Sequence, residues 1–137
     1  MNTPNTHPAC GTPQTRDVTR DPWGLILWYG LPAAAMAAAG ALLGDARLIG
    51  LVWAAAFATM GGKCLANARR CGRVHCYFTG PWFLLASAAS LLHGFALQPD
   101  GPLSWMLLGA VGGAGGAALW CGSEAILGRY RRSPPAA

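Results

Sequence analysis

The stretch CLANARRCGRVHCYFTGP, Cys64 to Pro81, holds three of the chain's five cysteines, one of its three histidines and three arginines. Thiolates select soft ions such as Hg(II), Cu(I), Zn(II) and Cd(II), and imidazole extends such a set. Neighbouring Arg69, Arg70 and Arg73 favour the thiolate form. A single buried cysteine is commonly plain packing. Three of them between Cys64 and Cys76 shift the balance toward ligation. The Cys71-x4-Cys76 spacing is not that of a zinc-finger pair, so a closed structural zinc site is weakly supported.

A second group lies near the C-terminus. In WCGSE, Cys121 and Glu124 stand at i and i+3, on one face of a helix. Glu124 is a lone carboxylate at the end of an apolar stretch. It could orient His75, accept thiol protons or pair with an arginine, and ionisable groups in such places are functional candidates. The candidate ligand set is therefore Cys64, Cys71, His75, Cys76, Cys121 and Glu124. No Ser–His–Asp set, phosphate-binding loop or paired carboxylates are visible, so hydrolase and kinase roles lack support and a transporter or binding protein is favoured over an enzyme.

The elements that carry these residues belong in a bilayer. Hydrophobic residues make up 53% of the 137-residue chain and charged residues 11%, against about 25% charged in ordinary soluble domains. Between Val74 and Ser123 the only charge is Asp100. Four apolar segments follow one another, 23–44, 48–70, 77–97 and 102–124, each of the length that spans a ~30 Å hydrocarbon core as a helix. Short connections make neighbours antiparallel. The expected fold is an all-α integral membrane domain, residues 23–130, built as a four-transmembrane-helix antiparallel bundle. A polar tail, residues 1–22, precedes it and a short tail, residues 131–137, follows. A membrane barrel would alternate polar and apolar residues, and these segments do not.

Lysine and arginine set the orientation. Arg16, Arg20, Lys63, Arg69, Arg70, Arg73, Arg129, Arg131 and Arg132 fall on one side and Arg47 alone on the other. The positive-inside rule then puts both termini and the Cys64–Cys76 region on the cytoplasmic side of an inner membrane. The net charge of +5 reflects this arrangement and not a nucleic-acid partner. An odd cysteine count and the absence of a framework spacing argue against a disulfide scaffold.

Along the second helix, Cys64, Asn67 and Cys71 share a face, and Gly72 can end the helix and turn the chain. Pro32 is expected to kink the first helix, and Pro81 to sit harmlessly in the first turn of the third. Gly40 and Gly44, and the overlapping pairs Gly109/Gly113 and Gly112/Gly116, suggest close helix packing, within the bundle or in a homo-oligomer through the fourth helix. His93 reads as a hydrogen-bonded buried histidine, with lining of an ion path as the alternative. The tryptophans are expected mostly toward the helix ends. Cys10 in the tail, near His7, is either incidental or a mobile metal-capturing thiol.

The phrase NARRCGRVHCYFTGPWFLL resembles a group of small bacterial membrane proteins associated with mercury resistance, and SEAILGRY echoes them more weakly. The resemblance covers the second half of the second helix through the third. It implies mercury handling at the bacterial inner membrane, with Cys71, His75 and Cys76 as core ligands and Cys64 and Cys121 beside them. Mercuric-ion transport proteins of similar size carry a cysteine pair in the first helix, which this chain lacks. A route from the outer face would need His93, Met36, Met60 or Met106 instead. The expected function is binding and transport of a soft metal, mercuric ion first and copper or zinc next, held as cargo. A membrane thiol–quinone redox protein and a structural or assembly subunit are the rival classes.

Overall fold

The computed structural model describes Asp17, residues 20–95 and residues 102–128. These residues form four helices: α1 (Pro22–Leu42), α2 (Ala46–Cys71), α3 (Val74–Phe95) and α4 (Pro102–Leu127). No strand occurs among the described residues.

Local chemistry sets the helix ends. Asp21 caps α1, its carboxylate accepting from the backbone N–H of Trp23 and Gly24. Asp45 caps α2 through the N–H of Arg47 at 2.7 Å. Each satisfies a donor that a helix start leaves unpaired. Gly72 ends α2 in the left-handed region, φ 66°, and its N–H bonds the Ala68 carbonyl. A side chain there would be strained, so glycine is the natural stop.

The expected segments and the helices agree to within a few residues, with one consequence. Helix α3 begins at Val74 and not at Tyr77, so His75 and Cys76 lie in its first turn. Pro81 then falls inside the helix and not in its first turn. In α1 a π-helical turn, Ile26–Gly30, ends two residues before Pro32. The chain's irregularity therefore sits just upstream of the proline, whose missing N–H cannot continue a regular ladder.

Helices α1, α2 and residues 104–127 of α4 are long and apolar enough to cross a membrane. They mark the chain as a membrane protein. Helix α3 carries no Asp, Glu, Lys or Arg, but its most apolar stretch is less apolar than theirs, because His75, Thr79, Ser87, Ser90 and His93 are spread along it. Those groups are satisfied inside the bundle: the Ser87 hydroxyl donates to the Ala54 carbonyl at 2.8 Å, and Ser90 donates to Ala86.

Helix α2 is the central element; half of its most apolar window is buried, against 11% for α1 and α4. It meets α3 at two glycine contacts. A Cβ on Gly50 would stand 2.9 Å from the Ser90 carbonyl oxygen, and one on Gly61 would stand 2.9 Å from that of Gly80. These close approaches are the small-residue packing seen between helices in lipid. They involve glycines other than the pairs singled out from sequence. In α4, Gly109, Gly112 and Gly116 face the rings of Trp53, Phe57 and Phe83 within the same chain. Gly44 and Gly113 have nothing within 4 Å of an added Cβ.

Two tryptophans depart from the expected interfacial positions. Trp53 is buried, its indole N–H donating to the Met36 carbonyl at 2.9 Å. Trp82 donates to the Gly112 carbonyl. Both serve as interhelical ties, because a buried indole N–H needs an acceptor.

Candidate metal centre

The α2–Gly72–α3 turn brings the thiols together. Cys64 lies on the buried face of α2, and His75 and Cys76 open α3 directly opposite. One ligand atom from each of Cys64, His75 and Cys76 lies within 4.8 Å of the other two. All three side chains are fully buried, at 1%, 0% and 0% exposure.

Each ligand has a supporting partner. The Thr79 hydroxyl donates to the His75 carbonyl at 3.0 Å and lies 3.3 Å from Cys64 Sγ. Its oxygen is thereby left to accept from that thiol. The Tyr29 hydroxyl of α1 is 3.0 Å from the same sulfur and supplies a donor to it. Asn67 Nδ2 lies 3.7 Å from Cys76 Sγ. On His75, Nδ1 is 2.5 Å from Glu124 Oε1, and Nε2 is 3.2 Å from Cys76 Sγ. A carboxylate at Nδ1 holds the proton there and leaves the Nε2 lone pair facing the thiols. That is the arrangement by which second-shell carboxylates orient histidine ligands. Trp120 of α4 stacks on the imidazole, centroids 4.1 Å apart and planes 12° from parallel.

A charged network backs the site. Glu124 also accepts from Arg73 Nε at 2.8 Å. Arg73 Nη1 donates to Asp17, and Asp17 accepts from Asn67 Nδ2 at 2.9 Å. The contacts close a ring: Cys76, His75, Glu124, Arg73, Asp17, Asn67 and back to Cys76. Burial opposes the charge of Arg73, but the hydrogen bonds it donates to Glu124 and Asp17 outweigh it, and its pKa lies above the ordinary arginine value. Every buried polar side-chain atom among the described residues has a partner. A donor set of two thiols and one oriented imidazole suits a soft or borderline ion.

The six sequence candidates therefore divide. Cys64, His75 and Cys76 form the cluster, and Glu124 supports it through His75. Cys71 is buried two turns beyond Cys64, about 10 Å along the helix axis. Its thiol donates to the Asn67 carbonyl at 3.0 Å, and it is not among the clustered atoms. Cys121 is exposed. Its neighbour Trp120 takes the inward position, and one residue of helix turns Cys121 by about 100°. The arginines divide as well, and the pairing of Glu124 with an arginine falls to Arg73. Arg73 spends its charge on two carboxylates, and Arg69 and Arg70 are exposed. His93 is half-buried at the other end, its Nε2 3.0 Å from the Ser104 hydroxyl and its ring edge-on to Trp105. Cys10, His7, Arg16, Arg129, Arg131 and Arg132 lie outside the described residues.

Sequence reasoning missed Tyr29, Thr79, Trp120 and Asp17. Thr79 had a usable signal, standing i+4 from His75 on one helix face. Asp17 fell in the stretch expected to be a tail, yet its side chain is fully buried. No protein-family model, curated protein or solved structure matches this chain.

Proposed function

We propose that this is a four-span inner-membrane protein that binds and passes on a soft metal ion through Cys64 and Cys76, with His75 as third ligand. Mercuric ion is the cargo that the sequence resemblance favours, with Cu(I) and Zn(II) next. The observation that carries this is the buried cluster of Cys64, His75 and Cys76, with Glu124 orienting the imidazole. Arginine and lysine bias puts this end of the bundle, and both termini, in the cytoplasm. Transfer would proceed by ligand exchange: a two-coordinate S–metal–S species gains a third thiolate and then releases one of the first two. No bare charge then crosses lipid.

Titrating the purified, reduced protein with Hg(II), Cu(I) and Zn(II) against a competing thiol tests this. Wild type should bind one ion tightly, and Cys64→Ser/Cys76→Ser should lose that site. Equal affinity and stoichiometry in the variant would refute it.

The proximity of two thiols also supports a second reading, a membrane thiol oxidoreductase. Cys64 and Cys76 would form a disulfide, passing two electrons and two protons to a quinone. Quinone reduction by the reduced protein, lost in Cys64→Ser, would favour it over metal transfer.

A further inference from the structure

On the far side of Tyr29 from the thiols, the molecule is not filled. A cavity of about 420 Å³ lies between α1, α2 and α4, lined by Tyr29, Met36, Phe57, Met60 and Gly113 among others. A second, of about 640 Å³, continues toward the α1–α2 turn and the start of α4, lined by Met36, Ala37, Trp53, Trp105 and Met106 among others. The two share Met36, Ala37 and Trp53, so they form one groove along the bundle. Its inner end is Tyr29, whose hydroxyl touches Cys64 Sγ at 3.0 Å. Its outer end holds Met106, 69% exposed.

The lining has a specific chemistry. No charged side chain lines either cavity. An unpaired ion would lose its hydration there without compensation. Three methionines punctuate the groove, and thioethers are soft, weak ligands. Alanines, glycines and the rings of Tyr29, Trp53, Phe57, Phe83 and Trp105 make up most of the remaining wall. Such a surface suits a soft metal in a neutral, two-coordinate form, and the groove leads to the one cluster of buried thiols among the described residues.

We infer that this groove is the route by which a neutral, two-coordinate soft-metal species reaches Cys64 from the opposite face of the membrane. The inference rests on the metal-site reading above. At the inner end one metal–anion bond breaks and one metal–sulfur bond forms. The thiol proton leaves with the anion as the neutral acid, so no net charge is stranded in the bundle. Lipid chains are the other occupant that an open apolar groove admits, and the test separates the two.

The probe is mercuric chloride, added to the reduced protein in lipid nanodiscs. Formation of the sulfur-to-metal charge-transfer band is followed by stopped flow. Gly113→Leu places a side chain into the groove from a position with nothing within 4 Å. Ala37→Leu narrows it from α1, and serves if the first variant folds poorly. Met36→Leu/Met60→Leu removes the thioethers at nearly constant volume. The expected result is a fall of about tenfold in the rate of site filling, a barrier increase of about 1.4 kcal/mol. The final stoichiometry should stay at the wild-type value. Unchanged rates in both plugging variants with full stoichiometry would overturn the route and leave the metal site standing, with lipid as the groove's occupant. Absence of a thiol–metal band in wild type would overturn the metal site itself, and the route with it.

Discussion

The two ends of the bundle solve opposite problems. At the Cys64 end, α2 and α3 pack backbone to backbone, and polar groups are buried in a closed ring of hydrogen bonds. At the Met36 end, α1 and α4 stand apart along much of their length, and the wall between them is apolar and open. A low-dielectric interior makes each unsatisfied polar group costly, so the first end must be complete to be stable. An apolar groove carries no such penalty and can stay open to lipid or cargo. Stability and ligation are thus expected at one end, and access at the other.

The contrast is broken most forcefully at Arg73. Arg73→Ala would leave Asp17 and Glu124 without their shared cation. Removing one partner of a buried ion pair costs about 3–5 kcal/mol. Thermal unfolding in detergent should show that loss, and a cost under about 1 kcal/mol would mean that the ring does not hold this end together. Next is Gly61→Val, less than a turn from Cys64, which forces a side chain against the Gly80 carbonyl. A penalty of about 1–3 kcal/mol is expected, whereas Gly113→Ala, facing the groove, should be within about 0.5 kcal/mol of wild type. Equal effects at the two glycines would erase the distinction between the packed and open ends.

Smaller effects sharpen the comparison. Tyr29→Phe removes the hydroxyl between groove and thiol, and should cost about 0.5–1.5 kcal/mol. It should also speed alkylation of Cys64 by a small apolar maleimide; unchanged labelling would remove Tyr29 from the boundary between the two regions. Smallest is Cys121→Ser, expected to change stability by less than about 0.5 kcal/mol and to leave metal stoichiometry untouched. A lost metal equivalent would place Cys121 back in the ligand set.

Much of the helical framework was legible in the sequence, because apolar runs of membrane length and the stop at Gly72 are local signals. Cys64, His75 and Cys76 were legible only as members of a larger candidate set, in which the resemblance made Cys71, and not Cys64, a core ligand. What local spacing could not supply was rotation. Trp120 takes the inward position on α4 and turns Cys121 outward by one residue, whereas the two-turn offset of Cys71 from Cys64 is already contained in their i, i+7 spacing. Tyr29 and Asp17 reach the site from 35 and 50 residues away along the chain from Cys64 and Asn67, distances over which periodicity carries no information. The groove was hidden for the same reason. Its methionines come from three helices, and only their packing shows that they face one space.

The most direct test is X-ray absorption at the metal edge of the protein loaded with one equivalent of Hg(II). The account predicts two sulfur neighbours in wild type, one fewer in either Cys64→Ser or Cys76→Ser, and no change in Cys71→Ser or Cys121→Ser. A sulfur count that survives in Cys64→Ser/Cys76→Ser, or that falls in Cys71→Ser instead, would contradict the assignment of the site.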